Sequence, residues 1–182
     1  MVQGKVSDLR KCNPTSGRVE VCSYKYGYRG WLGLAQIWLT GSHITQGIVE
    51  LNDSYYSLST YNKPEWRRMV MCQEIGHTFG LDHQDENQTN PNLGTCMDYT
   101  NNPLGPPSNE HPNAHDYDWL ADPIYKHTDT FTTVGTVAVA SAARADDWGR
   151  AVRFTKNGKG RIFVKDIGPN KQVVTFVTWV SE

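Results

Sequence analysis

Long apolar segments are what this chain most clearly lacks. No apolar run among its 182 residues approaches the length of a membrane span. The N-terminal sequence MVQGKVSDLRK also lacks the apolar centre of a signal peptide. We therefore expect no membrane partner, and an exported form of the protein is expected to have lost its signal peptide already.

Excess charge of either sign is absent as well. The formal net charge is -1 at pH 7, which gives no support to binding of nucleic acid or of an anionic membrane. The 38% hydrophobic and 11% aromatic residues are typical of a folded globular protein. The length suffices for one well-buried domain, or for one domain with a small appendage, and we expect a monomer.

Cysteine is scarce, and its spacing is informative. The four cysteines, Cys12, Cys22, Cys72 and Cys96, include no C-x-x-C pair that would indicate a structural zinc site. Four cysteines allow three pairings, and four reduced thiols are the alternative. We favour Cys12–Cys22, which closes a short loop around NPTSGR, together with Cys72–Cys96. Such disulfides predict a secreted or otherwise extracytoplasmic protein.

The hydrophobic pattern predicts a mixed α/β fold. Alternating apolar residues predict strands at 18–24, 31–39 and 43–52, and the short TGS connection favours an antiparallel pair for the last two. Helical spacing then predicts a helix from about 64 to 80. Pro64 lies in its first turn and Gly80 provides a left-handed end.

The second half of the chain divides into a loop, a helix and strands. Residues 85–113 are rich in Asn, Pro, Gly and Asp and predict a long surface loop, and a second helix is predicted near 113–127. Three strands are predicted beyond it, in FTTVGTVAVA, GRIFVKDI and KQVVTFVTWV, with a turn at GPN joining the last two. The expected organisation is a main domain at 1–127 and a strand-rich extension at 128–182, which either packs on that domain or forms a small module.

The segment CQEIGHTFGLDHQD, residues 72–85, is close to the zinc-peptidase pattern H-E-x-x-H-x-x-G-x-x-H. Glu74, His77, Gly80 and His83 match the pattern, whereas Gln73 stands at the position of its first histidine. Taken alone, QEIGH also fits an ordinary amphipathic helix. The extension through TFGLDH favours a metal site, because it adds a glycine and a second histidine at the required spacing.

The spacing has a geometric explanation. Positions 73 and 77 lie one turn apart on a helix and point the same way, so both can reach one ion. Glu74 lies about 100° around the helix, beside the ion, where it suits a base acting on water. A sharp turn at Gly80 allows His83 to return to the same ion.

These residues resemble a known family. EIGHTFGLDH together with CMDY, residues 96–99, resembles the metzincin metallopeptidases, and GHTFGLDH is particularly similar to their matrixin branch. The resemblance implies a methionine turn beneath the zinc that contains Met97. It also implies that Tyr99 approaches the metal, as in the astacin and serralysin branches. LGLAQI resembles the edge strand on which metzincins lay an extended substrate, which places Leu34 and Ala35 in the substrate site.

The resemblance covers residues 18–127 and implies a metzincin-like twisted mixed sheet with an active-site helix and a C-terminal helix, followed by the strand-rich tail. The family normally has a strand, a long helix and another strand before the position of residue 18. Residues 1–17 are too few to form them. Either these elements are missing from the sequence, or the C-terminal strands replace part of the sheet.

Gln73 is expected to weaken the site, because a neutral carboxamide is a poorer zinc ligand than imidazole. A zinc ion held with less donated charge would make its bound water more acidic, so the remaining sites would stay reactive. Asp82 or Asp85 are candidates to orient a histidine N–H.

The expected function is a secreted zinc-dependent endopeptidase acting on an extended peptide or protein substrate. The resemblance assigns zinc to His77, His83 and, more weakly, Gln73. Glu74 is the expected general base, and Tyr99 is expected to help stabilise the oxyanion. The alternative is a catalytically weakened pseudopeptidase that binds peptides or a partner protein in the same groove. The weakest alternative is a deliberate substitution at position 73, since replacing Glu74 would be the usual way to inactivate such a site.

Overall fold

The computed structural model of the protein describes residues 10–126 and 147–181. It is a mixed α/β fold made mostly of strands, which confirms the predicted fold class at that level. The strands are β1 (Val19–Tyr24), β2 (Trp31–Thr40), β3 (His43–Asn52), β4 (Arg150–Phe154), β5 (Gly160–Gly168) and β6 (Lys171–Trp179), and the helices are α1 (Pro64–Thr78) and α2 (Ala114–Trp119). The strand predicted in FTTVGTVAVA and His127 lie outside the described residues. Within the described ranges, no helix has the length and apolar character needed to cross a membrane.

All six strands form one sheet in the order β1-β3-β2-β6-β5-β4. β1 and β3 are parallel, and every other neighbouring pair is antiparallel, including the predicted β2–β3 pair. The C-terminal strands therefore continue the sheet that the N-terminal strands begin. The turn predicted at GPN joins β5 to β6, and Asn170 adopts a left-handed conformation there with φ of 58°.

The prediction that β2 is an edge strand is wrong. β6 pairs with β2 along its whole length, from Trp31 opposite Trp179 to Thr40 opposite Lys171. The inner half of β6 is rich in β-branched and aromatic residues, and its Val173, Phe176 and Val177 are buried in the sheet. Because β3 pairs with the other side of β2, both backbone edges of β2 are occupied.

α1 packs across the sheet and carries the first part of the segment that is close to the zinc-peptidase pattern. Pro64 occupies its first turn, where no backbone N–H is needed, and the chain turns away at Gly80 with φ of 92°. Met69 and Val70 of α1 belong to the same buried cluster as Ala35 and other sheet residues. The helix lies very close to β2, because a Cβ built on Gly33 would be 2.5 Å from the Val70 Cγ1 atom.

α2 begins with a capping box, in which the Asn113 side chain accepts from the Asp116 N–H and the Asp116 side chain accepts from the Asn113 N–H. A wider turn, Leu120–Ile124, follows it and is broken at Asp122, whose φ is -157°. The break falls immediately before Pro123, as expected because proline disfavours a helical conformation in the residue before it.

Both predicted disulfides are confirmed. The Cα atoms are 5.8 Å apart in Cys12–Cys22 and 5.9 Å apart in Cys72–Cys96. The second disulfide joins α1, one residue before Gln73, to the long loop, one residue before Met97. It therefore holds this part of the loop against the helix that carries the motif.

Candidate functional site

The sheet-facing side of α1 brings three residues of the motif into the protein interior. Gln73, Glu74 and His77 are all fully buried. The chain reverses after Gly80, and the side chain of His83 returns to α1. The Nε2 atoms of His77 and His83 then lie 3.1 Å apart, as the spacing of the motif requires.

The orientation of His77 is fixed on two sides. Its Nδ1–H donates to the Leu81 carbonyl oxygen at 2.8 Å, so the lone pair of the neutral ring lies on Nε2, facing His83. Phe176 of β6 stacks on the imidazole with 4.3 Å between ring centroids and 8° between ring planes. Burial is the main reason that the pKa of His77 is lowered to about 4.

His83 contacts a residue that sequence analysis did not identify. Arg161, on β5, is almost completely buried, and its guanidinium donates to the His83 Nδ1 atom at 2.8 Å. The same guanidinium pairs with Asp82 at 3.4 Å and with Glu86. Because Nδ1 accepts from Arg161, the neutral His83 ring carries its proton on Nε2, where it donates to His77. Burial, reinforced by His77 and Arg161, holds the pKa of His83 well below its usual range.

Gln73 is turned toward the C-terminal strand. Its Oε1 atom accepts from the hydroxyl of Thr178, on β6, at 2.7 Å, and its Nε2 atom has no partner among the described residues. Thr178 has a single hydroxyl proton and donates it to Gln73, so it cannot also donate to the neighbouring Glu74. Both carboxyl oxygens of Glu74 therefore remain without a hydrogen-bond donor in the described chain. Burial raises the pKa of Glu74 to about 8, so this carboxyl is largely neutral at pH 7 when no cation is near.

Met97 and Tyr99 lie beside these residues, and both belong to the long loop. A Cβ built on Gly76 would be 2.5 Å from the Met97 sulfur, so Met97 packs directly against α1 one residue before His77. The Tyr99 ring lies 4.4 Å from the His83 ring, centroid to centroid. Its hydroxyl is buried without a partner in the described ranges, and burial raises its pKa above the usual value.

The substrate positions predicted on β2 are covered by another strand of the sheet. Leu34 and Ala35 are buried within the sheet, and their neighbours across the strand are Val177 and Phe176 of β6. Their backbone groups are therefore not available to an incoming peptide in this conformation. The edge position expected for β2 is occupied by β6, which is distant in sequence.

The aspartates named as orienting groups have other roles. Asp82 Oδ1 accepts the backbone N–H of His83 at 2.8 Å and lies 3.8 Å from its Nδ1 atom, beyond hydrogen-bond distance. Asp85 accepts the backbone N–H groups of Glu86 and Asn87 and stabilises the start of the loop. The Leu81 carbonyl, rather than a carboxylate, orients His77.

The donor atoms fit zinc in part. Two nitrogen ligands about 2.0–2.1 Å from a tetrahedral zinc ion lie roughly 3.3 Å apart, close to the observed separation of the two histidine nitrogens. The unpartnered oxygens of Glu74 and Tyr99 are polar atoms that burial disfavours unless a further group satisfies them. In contrast, the Gln73 Oε1 atom is bonded to Thr178 and is not directed at the point where the two histidine nitrogens meet. Within residues 10–126 and 147–181, no group of three His, Cys, Asp or Glu side chains is arranged to hold a metal.

Two clefts border the site, and one of them, of about 270 Å³ between residues 80–84 and α2, has His83 in its wall. The other cleft, of about 310 Å³ between residues 86–89 of the long loop and the β4–β5 turn, reaches Tyr99, but its walls do not include Gln73, Glu74 or either histidine.

Comparisons with known protein families, with curated proteins and with solved structures found no match to this chain.

Proposed function

We propose that the protein is a zinc-dependent endopeptidase whose site is covered in this conformation. The observation that carries the proposal is the convergence of His77 and His83, with Nε2 atoms 3.1 Å apart, beside the buried carboxyl of Glu74. His77 and His83 would hold the ion, with Gln73 as a weaker third ligand once its Oε1 atom is released from Thr178. A bound zinc ion would supply a Lewis acid that polarises a peptide carbonyl and acidifies water.

The remaining chemistry belongs to the chain. Glu74 is buried on the same helix as Gln73 and His77, and both its oxygens lack partners among the described residues, so its carboxylate would be free to take a proton from water and deliver it to the leaving amine. A nearby cation would favour ionisation of a carboxyl whose pKa burial raises to about 8. The Tyr99 ring lies against His83 and its buried hydroxyl has no partner among the described residues, so this hydroxyl would donate to an oxyanion.

The long loop contributes rigidity to this arrangement. The Gln84 N–H donates to the Met97 carbonyl at 2.7 Å, so the residue after His83 is tied to the methionine turn. The Cys72–Cys96 disulfide ties the same turn to α1. The two disulfides also support an extracytoplasmic location, where oxidising conditions preserve them.

A binding protein without catalytic activity is the second candidate. It is favoured by Phe176 and Thr178, which occupy the space above His77 and Gln73. In a protein that uses these residues only for packing or for binding a partner, no metal ion would need to reach His77 and Gln73.

The two candidates are separated by a pair of substitutions. Glu74→Gln, which keeps the shape of the side chain, should abolish peptide cleavage while zinc binding persists, because Glu74 is not a ligand. Gln73→His should raise zinc retention during dialysis against a weak chelator, because it adds a third imidazole. Cleavage is measured with a broad peptide library at saturating zinc. Cleavage that survives in Glu74→Gln contradicts the mechanism, and a parent protein that retains zinc without cleaving any peptide supports the binding protein.

A further inference from the structure

We infer that the β5–β6 hairpin is a built-in plug that keeps the candidate metal site closed, and that the site opens when this hairpin moves away from β2. The inference rests on the proposed function, because it concerns access to the same site. It adds a regulatory role for residues 160–179, which the motif itself does not assign.

The first observation concerns β6. It lies antiparallel along β2 in extended conformation, in the manner of a bound peptide strand. Phe176 and Thr178 are two residues apart, so both point to the α1 side of the sheet. Phe176 stacks on the face of the His77 ring. The Thr178 hydroxyl donates a hydrogen bond to the Gln73 Oε1 atom, the atom with which Gln73 would bind an ion. β6 thus occupies the ligand atom of Gln73, and it packs on the face of His77 while the in-plane Nε2 lone pair of His77 stays directed at His83.

The second observation concerns β5 and is independent of the first. The Arg161 guanidinium donates to the Nδ1 atom of His83. A neutral histidine that binds a metal through Nε2 carries its proton on Nδ1 and needs an acceptor there, whereas Arg161 offers only donors. Withdrawal of Arg161 would leave Asp82, whose Oδ1 atom is 3.8 Å from the His83 Nδ1 atom, as the nearby acceptor.

The two blocking strands are connected to each other, and β4, which pairs with the other side of β5, would move with them. β5 and β6 are joined by a two-residue turn at 169–170 and pair along most of their length. Displacement of these strands would release Gln73 from Thr178 and His83 from Arg161 in one step, and would expose the β2 backbone at Leu34 and Ala35. The same movement would therefore create the metal site and the strand on which an extended peptide could pair.

A disulfide across β2 and β6 tests the inference in the full-length chain. Gln36 and Thr175 are directly opposite each other, and the Gln36 Nε2 atom donates to the Thr175 hydroxyl oxygen at 2.9 Å. They alternate with Ala35 and Phe176, so they point away from α1 and the site. Opposite residues in antiparallel strands have Cα atoms roughly 4.5–5.5 Å apart, within the range for a disulfide. Gln36→Cys/Thr175→Cys should therefore lock the hairpin without touching the ligands.

The matched control locks the hairpin to itself. Asp166 and Gln172 are exposed and opposite across β5 and β6, so Asp166→Cys/Gln172→Cys leaves the hairpin free to move as a unit. The readouts are the rate of zinc uptake from a buffered zinc solution and the cleavage of a fluorogenic extended peptide. Zinc uptake by the β2–β6 lock should be at least tenfold slower than uptake by the parent and by the control. Equal rates in all three proteins overturn the inference.

The two readouts keep this inference apart from the proposed function. Slow zinc uptake in the lock, with a parent that cleaves no peptide, supports the plug and contradicts the endopeptidase. Peptide cleavage that is equally fast in the parent and the lock supports the endopeptidase and contradicts the plug.

A second variant covers the case in which the lock fails to fold. Arg161→Gln removes the guanidinium from His83 and should raise zinc affinity about tenfold, the lower end of effects from groups that orient a ligand. Arg153→Gln, at an exposed position on β4, is the matched control and should leave zinc affinity unchanged. Unchanged affinity in Arg161→Gln contradicts the part of the inference assigned to β5.

Discussion

Burial shifts the pKa values of two neighbouring side chains of α1 in opposite directions. It disfavours the charged form of both groups, so the pKa of the Glu74 carboxyl rises to about 8 and that of the His77 imidazole falls to about 4. Both groups are therefore mainly neutral near pH 7 in the metal-free protein.

The raised pKa of Glu74 predicts a pH-dependent stability. Its folded pKa lies above its unfolded value of 4.5, so its stabilising contribution is complete below pH 4.5 and is lost as the pH rises through 8. Relative to Glu74→Gln, the parent should lose up to about 5 kcal/mol of unfolding free energy between pH 4.5 and pH 9. The measurement is urea unfolding of both proteins in the presence of a chelator. His77 is common to both and cancels in the difference, so a pH-independent difference contradicts the prediction.

At the scale of single residues, the motif could be predicted well, and its contacts could not. Gly80 and His83 followed from spacing, because the geometry of a helix and one left-handed residue suffices to return a ligand. Arg161 had no comparable signal. An arginine as the second residue of GRIFVKDI is ordinary in a strand, and only the sheet order brings it to His83.

At the scale of elements, close packing of α1 on β2 depends on one glycine. The Cβ of an alanine at position 33 would be 2.5 Å from Val70 and 2.6 Å from a Glu74 oxygen. Gly33→Ala should therefore lift α1 from the sheet and lower the unfolding free energy by about 1–3 kcal/mol, as overpacked cores do. Denaturant unfolding measures the loss.

Gly47→Ala is the matched control for this substitution, since Gly47 lies in β3 and its added Cβ would meet neighbours at 3.4 Å. It should cost clearly less than Gly33→Ala. Equal losses from the two substitutions would show that strand glycines matter here for backbone reasons rather than for the approach of α1.

The elements themselves were largely predictable, whereas their order in the sheet was not. β2, β3 and α1 have strong local signals in alternation, turn residues and helix ends, and the structure confirms them. The partner on the other side of β2 is 139 residues away at the Gln36–Thr175 contact, and no local pattern specifies it. The edge-strand prediction failed for this reason.

At the scale of the whole molecule, β2 lies between two strands that differ in their distance from it along the sequence. One is β3, which follows it directly in sequence, and the other is β6, which belongs to the proposed plug. Alternate N–H groups of an antiparallel strand point to opposite neighbours. The two sets of β2 amides therefore report separately on the two interfaces.

Native-state hydrogen exchange of these amides should show two free energies of opening. The β2 amides bonded to β6 should exchange together with those of β6, at lower cost than the β2 amides bonded to β3, because the hairpin opens before the rest of the sheet. The measurement is amide exchange followed by NMR as a function of low denaturant concentration. A single opening energy for every β2 amide would mean that the sheet opens only as a whole.

The position of β6 also determines the order in which the molecule is completed during its synthesis. A ribosome makes the chain from its N-terminus at about 5–20 residues per second, so β2, β3 and α1 emerge several seconds before β6. During that interval His77 and Gln73 have no Phe176 or Thr178 to cover them. An ion in the surroundings of the nascent chain would therefore reach these side chains before the last strand is made.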